Sequence, residues 1–335
     1  GKEEDWVQIL QDIPKDKPFF CWFASTDAHR DWQFNDKAPI YNADDMRVPP
    51  FLYDGPMTRE DLASYYHEIS RIDYYVGELM KELKAQGVAG NTYFFFCSDN
   101  GRPFPRCKTW LYESGIKTPL IAWAPGRIEP GRTDSLVSSV DLAPTFFDLA
   151  GLQAAESFQG TSLKPVLDDP KAVVRTYAFA EHNWHVFQAH ERMVRHGKWI
   201  YIRNAWPERQ NLCLESTDAF PAGEELWAAE AEGKLKPGQR DVFQKPRQAE
   251  TLFDAEADPY QLKNVAEEYP EVLAEMRAAL DSWTDATGDT VPEDPTNDRE
   301  SLDRKPLANH KRGTMPGTES GAEKINKSGP ILSID

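Results

Sequence analysis

The chain has 335 residues, of which 40% are hydrophobic, and its 38 Lys and Arg against 55 Asp and Glu give a net charge of −17. A chain this long and apolar can bury a core, and the absence of a basic stripe argues against a nucleic-acid partner. No apolar run approaches about 18 residues, which argues against a transmembrane helix, and four cysteines without CxxC pairing argue against a disulfide framework or a zinc site.

The first half of the chain alternates between apolar runs and helical periodicity. Continuous apolar runs bounded by Pro or polar turns are typical of buried strands, and apolar residues at helical spacing indicate helices. The predicted elements are, in chain order, a short helix (5–11), a strand (18–24), a long loop (35–57), a helix from a Thr58–Asp61 capping box to Gly87, strands at 92–97 and 119–124, and a helix at 140–151.

Strand–helix–strand alternation with unbroken apolar strands predicts an α/β unit with a mainly parallel sheet covered on both faces. In such sheets, ligands bind beyond the carboxyl ends of the strands. His29 follows the strand at 18–24, and Asp99 and Asn100 follow the strand at 92–97. We therefore expect these side chains at the ligand-binding edge.

The second half is organised differently. Short alternating segments at 176–181, 192–195 and 198–204 predict a small antiparallel sheet, and residues 270–288 form an amphipathic helical pattern. Beyond residue 289 the chain is polar with few apolar residues, as expected of an extended or disordered tail. The predicted organisation is an α/β domain (1–170), a sheet-plus-helix subdomain (171–288) and the tail (289–335).

The segment SDNG after the second apolar strand is the first candidate for chemistry. Asp99 and Asn100 offer the hard oxygen ligands that Ca²⁺ or Mg²⁺ requires. Asn-Gly is also a common turn dipeptide, so a plain turn is the alternative.

Two loops bring further candidates. His29 lies in DAHRDW, where an imidazole can donate or accept a proton. Arg106 and Lys108 follow the metal candidates, and cations there could hold an anion or neutralise a leaving oxygen. The alternative in each case is a solvated loop side chain. Cys107 stands between the two cations, which would lower a thiol pKa, but a nucleophilic cysteine also needs a positioned histidine.

The stretch 180–192 contains His182, Trp184 and His185. His-x-x-His could suggest a transition metal, but no carboxylate or thiolate lies at metal-site spacing. An aromatic and histidine loop lining a polar substrate pocket is the functional interpretation, and simple packing is its alternative.

Taken in order, several segments resemble the type I sulfatase family of the alkaline-phosphatase superfamily: PFFCWFASTDAHRDW, YFFFCSDNG, CKTWLYESGIKTPLIAWAPG and SSVDLAPTFFDLAGL. The resemblance covers most of residues 15–285. The run SDNGRPFP…TWLY is similar to the heparan N-sulfatase (sulfamidase) branch, which cleaves sulfate from glycosaminoglycan sugars. The family implies an alkaline-phosphatase-like α/β/α sandwich, of which this chain would form the C-terminal part, followed by a small antiparallel-sheet subdomain with a C-terminal helix.

The resemblance also implies roles. One Ca²⁺ would be bound by Asp99 and Asn100, and His29 and Lys108 would contact the sulfate or the bridging oxygen and stabilise or protonate the leaving group. Together with the candidates above, the expected site is catalytic His29 and Lys108, substrate-binding Arg106, His182 and His185, and metal-binding Asp99 and Asn100.

Sulfatases make a formylglycine nucleophile from a Cys or Ser in a C/S-x-P/A-x-R motif in their N-terminal half, beside an acidic pair that completes the Ca²⁺ site. The four cysteines here read CWFAS, CSDNG, CKTWL and CLEST, so none has that context. The sequence therefore resembles a C-terminal half whose partner is the N-terminal half of the same protein. Alone it should be inactive and poorly soluble or paired, because two ligands hold Ca²⁺ weakly and a half-sheet leaves apolar surface open.

The leading functional hypothesis is hydrolysis of a sulfuric ester or sulfamate on a sulfated carbohydrate, in the periplasm or outside the cell by family habit. A phosphonate or phosphate monoester hydrolase is an alternative, since the fold alone does not separate sulfate from phosphate esters. The absent nucleophile also leaves open a non-catalytic glycan-binding or structural chain.

Overall fold

The structure, a computed structural model, describes residues 2–313. Over these residues the first half contains five α-helices and two short strands, and the second half contains four strands and two α-helices. The helices are α1 (Trp6–Gln11), α2 (Pro56–Ala85), α3 (Glu113–Ile116), α4 (Leu142–Leu149), α5 (Lys164–Asp168), α6 (Pro221–Ala231) and α7 (Pro270–Thr287). The strands are β1 (Phe94–Cys97), β2 (Leu120–Trp123), β3 (Ala178–Trp184), β4 (Gln188–His196), β5 (Trp199–Asn204) and β6 (Glu250–Asp254).

The predicted long helix is confirmed as α2, but its capping box is wrong. Gly55 is the N-cap and Pro56 the first helical residue, which places Thr58 inside the first turn. The Thr58 backbone N–H donates to the Glu225 carboxylate of α6 at 2.8 Å, so a distant acidic side chain caps the helix. Gly87 follows the helix with φ of +72°, the left-handed conformation predicted for it.

The first sheet differs from the prediction. Strands β1 and β2 pair antiparallel, with Phe94 opposite Trp123, so the mainly parallel sheet is not found among residues 2–313. The predicted strand at 18–24 is wrong within this chain, because no described residue gives it a backbone hydrogen-bonding neighbour. Its Phe20 and Trp22 side chains are 66% and 68% exposed. The sequence identified a strand-like segment, but a strand needs a partner.

The predicted antiparallel sheet with a C-terminal helix is confirmed. Its order is β3-β4-β5-β6, and every neighbouring pair is antiparallel. Because successive side chains of a strand point to opposite faces of the sheet, Val194, Tyr201 and Leu252 lie on the face toward α7. There they pack with Met276 and Leu280. The other face packs on Leu111, in the loop that contains Lys108. The loop that carries the candidate catalytic residue Lys108 therefore packs against this sheet.

Residues 289–313 extend along the turn between β3 and β4. The Asp298 carboxylate accepts a hydrogen bond from the Gln188 backbone at 2.7 Å, and the Arg299 N–H donates to the Val186 carbonyl at 2.9 Å. The extended tail expected from residue 289 is therefore bound to the sheet over this stretch. The remainder of the predicted tail, 314–335, lies outside the described residues, and the domain boundaries at 170 and 288 stay predictions.

Over residues 2–313, no helix combines the length and the apolar character needed to cross a membrane.

The inward face of α2 is unusually polar. Asp61, His67 and Glu68 are at most 3% exposed, and each bonds to the loop that follows residue 27. Burial raises the pKa of Glu68 to about 7, and the nearby Asp27 carboxylate adds to this although Arg71 opposes it. Burial likewise raises the pKa of Asp27. These polar groups anchor the loop that carries His29.

Replacing Glu68 by Gln should stabilise the protein at pH 8 but not at pH 4.5. The carboxyl titrates near its ordinary pKa of 4.5 when unfolded and near 7 when folded. The folded state therefore binds more protons in this window, and the wild type loses stability as pH rises through it. Thermal melts should show a gain at pH 8 of up to about 3 kcal/mol in free energy of unfolding. Glu60→Gln, an exposed change on the same helix, is the control. An equal gain at both pH values would contradict the assignment.

Candidate active site

The loop carrying Lys108 is held in a strained shape. Arg106 and Thr109 adopt φ of +62° and +72°, which non-glycine residues rarely do. The loop is closed by a hydrogen bond from the Gly101 N–H to the Gly115 carbonyl at 2.8 Å. A Cβ on Gly101 would lie 2.0 Å from the Ser114 carbonyl oxygen, so only glycine permits this approach. Such strain is concentrated at functional sites in proteins.

The structure brings His29 and Lys108 together although they are 79 residues apart. Lys108 Nζ lies 3.3 Å from His29 Nε2, and the lysine is 8% exposed while His29 is solvent exposed. Glu215 Oε1 lies 3.7 Å from the same ammonium. The buried Lys108 ammonium can bind an anion, and the exposed His29 imidazole next to it can exchange a proton with the same bound group.

His182 lies in β3, and His185 lies in the turn between β3 and β4. His182 is opposite Glu191 in the β3–β4 register, and a bulge between His182 and Trp184 interrupts the ladder there. Burial lowers the pKa of His185, and the Lys108 charge lowers it further, so the ring is neutral near pH 7. The charges of Lys108, Glu215 and His182 all act on His185, so each of the three lies within electrostatic range of its ring.

Three buried polar atoms of these residues form no hydrogen bond with any described residue. They are His182 Nε2, His185 Nδ1 and Glu215 Oε2. Nearly all buried polar groups in native proteins are paired, and an unpaired one is costly. Each of the three atoms therefore lacks the partner that a buried polar group normally has.

Unlike these unpaired atoms, the Arg106 guanidinium has hydrogen-bond partners. Its guanidinium is 2% exposed and donates to the Asp241 carboxylate at 2.5 Å and to the carbonyls of Tyr260 and Gln261 at 2.8 and 2.6 Å. Tyr112 covers it from 3.8 Å. These partners occupy its donors, and the geometry favours a structural role over the substrate contact expected from sequence.

The activated thiol considered for Cys107 is also not supported. Burial raises its pKa to about 11, although Arg102 and Arg106 oppose this. The side chain is fully buried, so it remains a protonated core thiol.

Asp99 and Asn100 lie two and three residues beyond the end of β1. Asp99 is exposed, and Asn100 donates through Nδ2 to the Gly101 carbonyl at 2.7 Å, which leaves its amide oxygen available. These oxygens suit Ca²⁺ in kind, but the ion takes 6–8 ligands. Among residues 2–313 no group of three or more His, Cys, Asp or Glu could hold a metal, so the remaining ligands would have to come from elsewhere.

Sequence reasoning missed Glu191 and Glu215. Glu191 is buried and accepts hydrogen bonds from Asn211 at 2.8 Å and from Arg247. Burial raises its pKa, but the charges of Arg247 and His182 outweigh this and lower the pKa to about 2. Neither glutamate stands in a local pattern that suggests chemistry, since each meets its partners only through the fold. Arg30 could have been noticed, because it follows His29 directly.

Two protein-family models match the chain. The model described as Sulfatase matches residues 4–152, and the model described as N-sulphoglucosamine sulphohydrolase, C-terminal, matches residues 106–204. The loop with Lys108 lies where the two matches overlap.

Curated relatives agree with these matches. An ulvan-active sulfatase of Formosa agariphila is 33% identical over 311 residues, which cover 89% of this chain and 50% of the relative. Human N-sulphoglucosamine sulphohydrolase is 26% identical over 352 residues, covering 88% and 66% respectively. The chain thus spans about half to two-thirds of the length of these relatives.

A solved Bacteroides thetaiotaomicron structure, described under the metabolism of multiple glycosaminoglycans, has the same fold. Its TM-score is 0.61 at 20% identity, and the match covers 82% of this chain and 56% of that one. The likeness confirms the fold class expected from the sequence.

Proposed function

Because the chain belongs to the sulfatase family, we propose that it forms, with an N-terminal half like that of its relatives, a hydrolase that releases sulfate from a sulfated carbohydrate. The observation that supports this most is the contact between His29 Nε2 and Lys108 Nζ at 3.3 Å. When an oxygen or nitrogen leaving group departs, its developing negative charge must be neutralised and it must receive a proton. Lys108 supplies a cation for the first requirement, and His29 supplies a proton-exchanging group for the second.

The proposed roles follow from the contacts. The Lys108 ammonium binds the sulfate group and neutralises charge that develops on the leaving atom. His29 takes up a proton at Nε2 and donates it to that atom as the bond to sulfur breaks, which returns the ring to its neutral form. Glu215, 3.7 Å from the ammonium, holds the lysine side chain directed toward the site. When bound, Ca²⁺ at Asp99 and Asn100 would neutralise sulfate charge, and a formylglycine in the N-terminal half would supply the nucleophile.

For the substrate we propose a sulfated glycan of the glycosaminoglycan type, as a sulfate ester or a sulfamate. Support comes from the match of residues 106–204 to the N-sulphoglucosamine sulphohydrolase C-terminal model. His182 and His185, with their unpaired ring nitrogens, are proposed to bond to sugar hydroxyl or amide groups. A periplasmic or secreted location, where such polymers are met, is part of the same proposal.

The test is sulfate release by the protein produced together with its upstream coding region. Ion chromatography would follow sulfate from N-sulfoglucosamine and from glucosamine 6-O-sulfate, with glucosamine 6-phosphate as the matched phosphate ester. We expect release from at least one sulfated sugar and much slower release of phosphate. Faster phosphate release would favour a phosphatase, and binding of the sugars without any release would favour a non-catalytic chain.

We propose that the segment 18–24 and strand β2 receive the N-terminal half. Phe20, Trp22 and Ile121 are 66%, 68% and 57% exposed, although all three lie in apolar runs. Exposed apolar patches of this kind mark interaction surfaces or aggregation-prone regions.

Phe20→Ser and Trp22→Ser should therefore weaken pairing when the two halves are produced as separate chains and co-purified. Val173→Ser is the matched control, since Val173 is 75% exposed outside this patch. Co-purification that all three changes leave intact would contradict the assignment of this surface.

A further inference from the structure

The orientation of His29 is set by a hydrogen bond to its neighbour's backbone. His29 Nδ1 lies 2.6 Å from the Arg30 carbonyl oxygen. A carbonyl only accepts, so Nδ1 carries the hydrogen and the neutral ring presents the Nε2 lone pair. Nε2 is the atom that faces Lys108 Nζ, which only donates. The tautomer therefore depends on where the Arg30 carbonyl is held.

Arg30 is in turn fixed by Asp61 of α2. Its Nη1 and Nη2 donate to the two Asp61 carboxylate oxygens at 2.7 and 2.6 Å, a bidentate pair whose side chains are 4% and 0% exposed. Asp61 also accepts from Trp32 Nε1 at 2.7 Å and from the Ala222 backbone at 3.2 Å. The rings of Trp32 and Phe220 lie 4.5 and 4.6 Å from the guanidinium.

The same guanidinium reaches the loop of the second candidate catalytic residue. Arg30 Nε donates to the Pro103 carbonyl at 3.0 Å, and the Lys108 N–H donates to the Arg102 carbonyl at 3.1 Å. One buried ion pair thus connects the backbone beside His29, helix α2 and the backbone before Lys108.

We infer that the Arg30–Asp61 ion pair positions His29: it holds the ring as the Nδ1–H tautomer, with Nε2 facing Lys108 Nζ. The inference rests on the proposed function for its consequence in turnover, but the tautomer itself is independent of it. Neither residue contacts the reacting atoms in this arrangement. Their effect on the reaction passes through His29, and a variant should show this dependence.

The test uses the full-length protein with Asp61→Asn and Arg30→Lys. Lysine keeps the charge but lacks the planar fork that bonds Asp61 and Pro103 together. We expect kcat to fall about 10- to 100-fold with KM nearly unchanged, as for a misplaced catalytic group. In a His29→Ala background the same changes should alter kcat by less than about 2-fold, because non-additivity marks residues that act through one another.

The matched control is Asp141→Asn, which breaks another buried bidentate pair, that of Asp141 with Arg175 at 0% and 1% exposure. Its partners are the segment around Ser138 and Thr161, so it should lower thermal stability without changing kcat. If Asp61→Asn does not fold, Arg30→Lys supplies the answer, because it leaves no unpaired buried charge.

Nitrogen-15 NMR of labelled histidines tests the His29 tautomer separately from its effect on turnover. The wild type should show His29 protonated at Nδ1 at neutral pH, and Arg30→Lys should show a mixture of tautomers. A wild-type ring protonated at Nε2, an unchanged tautomer in the variant, or equal losses with and without His29 would each overturn the inference. Normal turnover in His29→Ala alone would instead overturn the proposed role of His29 and leave the tautomer result standing.

Discussion

Replacing Lys108 by alanine in the full-length protein is expected to lower kcat for sulfate release by about 10²- to 10³-fold, the usual effect of removing one group that stabilises developing charge. The ammonium is the cation within 3.3 Å of His29 Nε2, and it is 8% exposed, so water replaces it poorly. KM should rise as well, because the same charge binds the sulfate in the ground state.

Lys117→Ala is the control for this prediction. Its ammonium pairs with Glu113 at 3.1 Å and is 63% exposed, so its loss should change turnover little. Lys108→Arg should recover little activity, because a planar guanidinium does not fit the space of an ammonium between His29 and Glu215. Turnover within 3-fold of wild type for Lys108→Ala would remove the lysine from the proposed mechanism.

Replacing Glu191 by alanine is expected to lower the free energy of unfolding by about 3–5 kcal/mol, the usual result of breaking a buried ion pair from one side. The carboxylate is 2% exposed and is bound by Arg247 and by Asn211 at 2.8 Å. Its loss leaves the Arg247 charge and the His182 ring without their acceptor. Thermal melts at pH 7 should show a fall of several degrees.

The pH dependence of Glu191→Ala identifies the cause. The folded pKa of about 2 lies below the ordinary glutamate value of 4.5, so the ion pair stabilises above about pH 4.5 and its contribution fades as pH falls toward 2. The difference in free energy of unfolding between wild type and Glu191→Ala should therefore become smaller as the pH falls. Glu268→Gln, which breaks the exposed pair with Lys263 at 2.7 Å, should cost less than about 1 kcal/mol. A pH-independent gap would point to packing instead of charge.

Much of the fold could be predicted because its signals are local. Apolar residues at helical spacing are sufficient to place α2 and α7, and short alternating segments are sufficient for three of the four strands of the β3–β6 sheet. The segment 18–24 shows the limit of this reasoning. Its apolar run has the composition of a strand, but within residues 2–313 nothing pairs with it. Pairing is a property of two segments, and no described residue supplies the second one.

The candidate site divides in the same way. His29 and Lys108 could be proposed from sequence because each stands in a motif of the sulfatase family, and the structure places them in contact. Arg106 was a candidate because it lies two residues before Lys108, but its donors face Asp241, Tyr260 and Gln261, which are at least 135 residues away along the chain. No local pattern distinguishes a cation that faces solvent from one that is enclosed by distant partners.

The sequence by itself therefore determined the family, the fold class and the residue types available for chemistry, because these depend on composition, periodicity and motif order along the chain. Only the tertiary structure decided which of those residues share a site. The Arg30–Asp61, Glu191–Arg247 and Lys108–Glu215 pairs join residues that are 31, 56 and 107 positions apart. The energy of a charge depends on its burial and its partners in space, and neither is written in the local sequence.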